Sequence, residues 1–407
     1  MGAEKTPEPV PARDEATFTR CTDDWTRRGL LGGAAALGFG LLAGCRSTSG
    51  SGAGGNGQLP FGRELKAAFS NCGLGSTWCA SGKETAEQWG KWFGVDVTWF
   101  DGGLNIDVQR KAVEDMATGT WDFVAIQTLG IDTLVDPVSR IIAKKTPVIQ
   151  MDTLLSKNDI GAISFLEPDN EYMGEVVGEA LFQAIGGQGN VIQTQGALGH
   201  TGAQRRAAGF RKAMSRYPNV KLIADDTADW DINKVATLWE DYLVQHKKID
   251  AGYFHNDDMA LAAARVIRNA GREKEIKLGG VDAMPEAIKA VRDGVLLTSV
   301  RNPACRIHWG ALMVGVLAAT GVTDIPKYIL MDGPAVTRGM PPDFSSCRSS
   351  FSCNPPCDET LNSNSNDAIY QSPSARIARR NQALWPGRRA AWHRLRFASG
   401  RSPRPDR

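Results

Sequence analysis

Histidine is scarce: there are five in 407 residues, at 200, 246, 255, 308 and 393. No second histidine or cysteine stands at ligand spacing from His255, so in the run His255-Asn256-Asp257-Asp258 it is expected to be a satisfied loop histidine rather than a metal ligand or general base. Catalytic signatures are missing as well. No Gly-x-Ser-x-Gly, His-Glu-x-x-His or Gly-Lys-Ser/Thr phosphate loop occurs, and Asp and His are not paired at a spacing that suits acid–base work. A non-enzyme without cofactor or metal is therefore expected. Strong charge of either sign is absent too: the formal net charge is +2. Residues 339–407 alone carry 11 Arg and no Lys against 5 Asp or Glu, +6, which leaves 36 minus 40, or −4, for the other 338 residues. That main part offers no basic footprint for nucleic acid. Hydrophobic residues make up 42% and charged residues 23%, enough for two globular lobes of about 100–150 residues each.

What is present at the start reads as targeting. Arg27 and Arg28 precede an apolar run from Gly29 to Ala43, which ends at Leu42-Ala43-Gly44-Cys45. Fifteen apolar or small residues fall short of the ~20 that a spanning helix needs, but suit the hydrophobic region of a signal peptide. The arginine pair resembles a twin-arginine export signal. Leu-Ala-Gly-Cys resembles a bacterial lipobox, whose cleavage leaves Cys45 as an acylated first residue. Residues 1–45 are thus expected to be an export signal and 46–59, rich in Ser and Gly, a flexible tether. Export places the mature chain outside the cytoplasmic membrane, held there by lipid, in a compartment that permits disulfides. Cys72 and Cys79 then allow either a local disulfide or two free thiols. Cys347, Cys353 and Cys357 lack metal-ligand spacing. Residues 339–407 have no sustained apolar period and much Ser, Pro and Asn. A disordered extension, a basic interaction tail and an out-of-frame translation compete there, and the abrupt change after Arg338 favours the last.

From residue 63 short apolar runs alternate with amphipathic stretches, the mark of βαβ units and parallel sheets. Strands are expected at 65–70, 95–100, 123–127 and 147–151, with helices at 85–93, 107–118 and 137–144 between them. The rhythm restarts with strands at 162–165, 190–193, 221–224, 251–254, 277–281 and 296–300, and helices at 170–185, 201–217, 232–246, 258–269, 285–293 and 307–319. Asp257 is an expected helix cap and Pro285 a first-turn proline. The fold class is α/β, two doubly wound parallel-sheet lobes whose ligand loops lie at the strand ends.

A polar or aromatic residue stands in the loop after each of several strands, or at the start of the following helix: Trp78, Asp152, Arg206, Trp230, Asn256, Asp282 and Arg301. Hydroxyls donate and accept at once, so carboxylates, amides and guanidinium forks suit them. The C–H face of a sugar or polyol packs on tryptophan.

Three motifs carry a resemblance. Phe254-His255-Asn256-Asp257-Asp258-Met259-Ala260-Leu261-Ala262-Ala263 is similar to the asparagine-acid-x-Met-Ala segment of the ribose-binding class of periplasmic binding proteins (type I, with the core of sugar-sensing repressors). Gly280-Val281-Asp282 resembles that family's Gly-apolar-Asp, and Arg206-Ala207-Ala208-Gly209-Phe210 its Arg-x-x-Gly-Phe. Pro168-Asp169-Asn170 matches the entry of the first hinge strand into the second lobe. The resemblance covers residues 63–338. It implies that Asn256 bonds a ligand hydroxyl, Asp282 binds in bidentate fashion, Arg206 supplies a fork and Trp230 a platform. It also implies three hinge crossings near 164–169, 298–303 and 327–337, a first lobe of 60–164 plus 302–326, and a second of 165–301 plus 327–338.

Departures are equally specific. The Asp-Arg pair expected after the fourth strand is Asp152-Thr153 here, and Arg301 stands where the class carries glutamine. The first loop, 71–82, offers Trp78 instead of paired phenylalanines. These differences argue against ribose itself; a pentitol, a tetritol or another pentose fits. The implied role is capture of a sugar or sugar alcohol for an ABC transporter permease. A receptor feeding a chemosensor is the alternative, and a repressor would need a helix-turn-helix that the signal segment replaces.

Overall fold

The computed structural model describes residues 61–331 and 333–338. The export signal with Cys45, the tether over 46–59 and the tail over 339–407 lie outside the described residues. No helix of the described residues is long and apolar enough to cross a membrane.

The first lobe is built on β1 (Leu65–Asn71), α1 (Thr77–Phe93), β2 (Val95–Asp101), α2 (Ile106–Met116), β3 (Phe123–Ile126), α3 (Val135–Ala143), β4 (Val148–Met151) and β5 (Ser164–Glu167). The second repeats the scheme with α4 (Asn170–Ala184), β6 (Gln188–Gln195), α5 (Thr201–Met214), β7 (Asn219–Thr227), α6 (Ile232–Gln245), β8 (Ala251–Phe254), α7 (Asp257–Asn269), β9 (Lys277–Val281), α8 (Pro285–Asp293) and β10 (Thr298–Val300). The chain closes with α9 (Ala304–Ala319), β11 (Tyr328–Leu330) and β12 (Ala335–Val336).

One sheet runs β11-β5-β4-β3-β1-β2 and the other β12-β10-β9-β8-β6-β7. Every pairing is parallel except β10 with β12. In each sheet the winding reverses beside its first strand, between β1 and β3 and between β6 and β8. Such switch points open a crevice at the carboxyl ends of the strands. The central strands are buried on both faces, as parallel strands under two helical layers must be: Phe123, Val124, Ala125 and Ile126 are fully buried. Each such large apolar side chain stabilises the lobe by about 1.5–3 kcal/mol. Helix starts follow the expected chemistry. Asn105, Asp169 and Asp231 cap α2, α4 and α6 through side-chain oxygens, and Pro285 opens α8.

Three crossings join the lobes, at β5 to α4, β10 to α9 and β11 to β12. Lobe membership differs from the sequence expectation at two places. Ser164–Glu167 pairs wholly with the first sheet, and Tyr328–Leu330 lies beside β5 in that same sheet. Only Ala335–Val336 joins the second, so the third crossing narrows to 331–334 rather than all of 327–338 belonging to the second lobe. Three-residue edge strands carry too little apolar pattern to declare their sheet.

Helix α1 also begins eight residues before the expected start at 85. Its opening turns, Thr77 to Gly82, are rich in small polar residues that resemble a loop. Gly82 is there because the His308 ring packs on it: a Cβ would lie 2.2 Å from that ring. Asn256 rather than Asp257 caps α7, accepting from the Met259 amide at 2.9 Å.

Candidate functional site

A cavity lies between the lobes at the carboxyl ends of both sheets. From the first lobe Cys72, Ser76, Trp78, Cys79, Leu104, Gln127 and Asp152 line it. From the second come His200, Arg206, Trp230, Asn256 and Asp282, and Asn302 enters from a crossing. Six of the seven residues singled out by sequence therefore converge. The seventh, Arg301, does not line the cavity. Its backbone amide donates to the Pro334 carbonyl at 3.0 Å, and Gly333 packs against its backbone. Side chains alternate along an extended segment, so the position that serves the cavity is the next one, Asn302.

Backbone conformation sets the site apart. Among the described residues eight non-glycines have positive φ, and four of these line the cavity: Leu104 at 53°, Asp152 at 60°, Trp230 at 66° and Asp282 at 114°. Left-handed conformations cost about 1–3 kcal/mol each for such side chains and gather where geometry serves binding.

Arg206, 3% exposed, is held from behind. Its Nε donates to Asn170 Oδ1 at 2.8 Å and its Nη1 to the His255 carbonyl. Its Nη2 faces Asp282 Oδ1 at 3.7 Å, and its Cζ lies 5.9 Å from the Trp230 ring centre, within cation–π range. Burial holds the Asp282 carboxyl well above its ordinary range; the nearby Arg206 guanidinium pulls it partly back. Gly196 leaves room for Trp230, since a Cβ there would lie 2.0 Å from the indole. Asp152 accepts from Gln127 Nε2 at 2.7 Å and from Asn302 Nδ2 at 3.2 Å. Trp78 donates from Nε1 to the Asn302 carbonyl at 3.1 Å.

Cys72 and Cys79 are both free, buried thiols rather than a disulfide. Gln127 Oε1 ties the two segments together instead, accepting from the Cys72 amide at 3.2 Å and the Cys79 thiol at 3.6 Å. Burial pushes the Cys79 thiol up to about 12 and the Cys72 thiol well above its usual value, so neither presents a thiolate near neutrality.

Sequence inspection missed Ser76, Leu104, Gln127, His200 and Asn302. Gln127 and His200 follow β3 and β6 and obey the same strand-end rule as the residues that were found. Nothing in the sequence distinguishes Leu104, whose position depends on a left-handed turn and a bond from its amide to the Cys72 carbonyl. No group of three or more His, Cys, Asp or Glu able to hold a metal occurs among the described residues.

Two doubly wound lobes, three crossings and a polar cleft at their facing strand ends define a two-lobed solute-binding protein. The chain belongs to the periplasmic binding protein family, whose domain model matches residues 67–321. It is 24% identical over 266 residues to a xylitol-binding protein of Mycolicibacterium smegmatis, across 65% of this chain and 74% of that relative. It is 29% identical over 244 residues to a galactofuranose-binding protein of Escherichia coli, across 58% and 76%. Among solved structures, an ABC transporter solute-binding protein of Mycobacterium smegmatis with bound glycerol superposes with a TM-score of 0.63 at 27% identity, covering 68% of this chain and 94% of that one. The protein is thus an extracytoplasmic binding protein of this family.

Proposed function

We propose that the cleft captures a neutral monosaccharide or sugar alcohol, a tetritol, pentitol or pentose by size, and delivers it to an ABC permease. The buried pair Arg206 and Asp282 carries this reading. Its facing atoms stand 3.7 Å apart, too far for a direct hydrogen bond but suited to a hydroxyl that accepts from the guanidinium and donates to the carboxylate. Trp78 and Trp230 offer apolar faces to C–H groups. The lining holds two acidic side chains, Asp152 and Asp282, against a single guanidinium, so it has no surplus of positive charge for a sugar phosphate or sugar acid. Xylitol, galactofuranose and glycerol in the names of the relatives agree with a small polyhydroxylated ligand. Trp78, Asp152, Arg206, Trp230, Asn256 and Asp282 are the proposed ligand-binding residues. Binding favours the closed lobes by its differential affinity for that state.

The same proposal places the protein on the outer face of the cytoplasmic membrane, exported by the twin-arginine route and held through acylated Cys45. Cys45→Ala should move the protein from the membrane to the soluble fraction. Unchanged membrane retention would remove the anchor from the proposal. For the ligand, a thermal-shift screen of the full chain against C3–C6 polyols, pentoses and hexoses should find a compound whose stabilisation grows with concentration. Stabilisation by none of them, or only by anionic sugars, overturns the neutral-polyol reading.

A further inference from the structure

His200 belongs to no motif of the binding site read from sequence, yet it is 4% exposed and lines the cavity. It precedes α5 in the cap position. Its Nδ1 accepts the Ala203 amide proton at 3.1 Å, an unusual use of histidine as a helix cap. That bond fixes the tautomer: Nδ1 carries a lone pair, so the proton sits on Nε2. Nε2 lies 4.0 Å from Asp152 Oδ2, on the opposite lobe. The ring stands edge-on to Trp230, with centres 5.0 Å apart and planes at 71°, which holds its direction. Burial keeps the imidazole neutral, with a pKa lowered to about 4, so the ring offers one N–H donor and no second charge.

We infer that His200 is a specificity-determining residue: its Nε2–H and the Asp152 carboxylate hold one ligand hydroxyl between them, across the cleft. A span of 4.0 Å admits a hydroxyl oxygen about 2.8 Å from each atom, accepting from nitrogen and donating to carboxylate. Asp152 is fixed for this by Gln127 and Asn302. The pair repeats the donor–acceptor spacing of Arg206 and Asp282, with one difference. Arg206 and Asp282 share a lobe, whereas His200 and Asp152 do not. The hydroxyl read by His200 is therefore the one that links the lobes and favours closure. A ligand lacking it, or with that carbon inverted, loses the bridge and leaves a buried donor and acceptor facing each other unfilled. This inference rests on the polyol reading above.

The two functions of the ring can be separated. His200→Asn keeps an oxygen near the Nδ1 position, able to cap α5, but has no group at Nε2. His200→Gln places an amide nitrogen near Nε2 and gives up the cap. Titration calorimetry of the full chain with erythritol, xylitol, D-arabinitol and D-ribose supplies the affinities, and thermal unfolding without ligand supplies stability. For whichever compound binds the wild type, His200→Asn should weaken binding about tenfold at nearly unchanged melting temperature. His200→Gln should retain more of the affinity while melting earlier. Among monodeoxy forms of that compound, one should bind the wild type and His200→Asn almost equally. Overturning results are His200→Asn within twofold of wild type, or a loss that follows melting temperature through both variants. A wild type that binds none of these compounds, nor any other polyol, pentose or hexose of the thermal-shift screen, overturns the polyol reading and this inference with it; binding by the wild type with an indifferent His200→Asn overturns this inference alone.

Discussion

Asp258 of the second lobe caps a helix of the first. Its Oδ2 accepts from the Thr77 amide at 2.9 Å and its Oδ1 from the Thr77 hydroxyl at 2.8 Å. Ser76, in the cap position of α1, makes no side-chain capping bond. The amino end of α1 is thus satisfied from across the cleft, and the same carboxylate lies in the first turn of α7, where the helix dipole also favours negative charge. Two further bonds join the lobes nearby, Ile131 amide to Gly199 carbonyl at 3.0 Å and Leu154 amide to Thr201 hydroxyl at 3.1 Å.

Because Asp258 does not line the cavity, its removal should act on closure rather than on ligand contacts. Asp258→Ala loses two hydrogen bonds to a charged acceptor, about 2–3 kcal/mol of closed-state stability. Affinity for the identified ligand should fall about tenfold or more, chiefly through faster dissociation. Stopped-flow release and calorimetry measure both. Thr77→Val, which removes only the hydroxyl, should lose a fraction of that. An unchanged release rate in Asp258→Ala would mean the clasp plays no part in closure.

Asp282 and Asn256 reach the cavity from neighbouring strand ends, after β9 and β8. Asp282→Ala leaves Arg206 facing an empty position, and Asn256→Ala removes both a cavity amide and the α7 cap. Each should weaken binding by about 1.5–3 kcal/mol. Stability should separate them: Asn256→Ala should also destabilise the fold by about 1 kcal/mol through the lost cap. Calorimetry and urea unfolding read the two effects, and wild-type affinity in both variants would displace the site from this cleft.

The lobes were legible because buried parallel strands and amphipathic helices each leave a period in the sequence. The segment Phe123 to Ile126 reads as a core strand without any structure. Six cavity residues were legible by one geometric fact, that ligand loops follow strand carboxyl ends. Three features were not. Helix α1 hides its first two turns because Gly82 serves the His308 ring rather than a bend. The disulfide option for Cys72 and Cys79 could not be weighed without seeing Gln127 between their segments. His200 lies in a loop after a strand, as the other cavity residues do, but gave no helix-start signal, because its cap is made through a ring nitrogen rather than the Ser, Thr, Asp or Asn oxygens that mark helix starts.

Arg301 and Asn302 differ by one position, and with it by the face they present. The Asn302 side chain donates to Asp152, in the loop after β4, and its backbone carbonyl accepts from Trp78, in the first turn of α1. Asn302→Ala should release Asp152 from one of its two side-chain partners and weaken ligand binding about fivefold to tenfold. Arg301→Ala should leave affinity within about twofold while lowering stability at the third crossing. The reverse order, with Arg301 dominant in calorimetry, would restore the sequence-based assignment.

His308 permits a test of burial by pH. It is fully buried, its Nδ1 bonds the Ala304 carbonyl at 2.8 Å, and the Trp78 and Trp99 rings pack on it. Burial lowers its pKa from 6.5 to about 4; the Ala304 bond and the distant Asp152 charge raise it only in part. Between those values the unfolded chain binds a proton that the folded chain refuses, so this group removes stability as pH falls from about 6.5 toward 4. Asp257, raised by burial to about 7, works in the opposite direction over the same window. His200, lowered by burial to about 4, and the raised carboxyl of Asp282 contribute over the same range, so the whole-protein profile mixes several groups and only a difference between variants isolates one. His308→Asn keeps a donor for Ala304 and discards the titration. Its stability loss between pH 7 and pH 4.5 should be about 2 kcal/mol smaller than that of the wild type, as 1.36 kcal/mol per pH unit requires over nearly two units. Urea midpoints at four pH values supply the comparison. Parallel profiles for the two proteins would mean that His308 titrates in the fold much as it does in water, and that the packing around Trp78 is looser than these contacts describe.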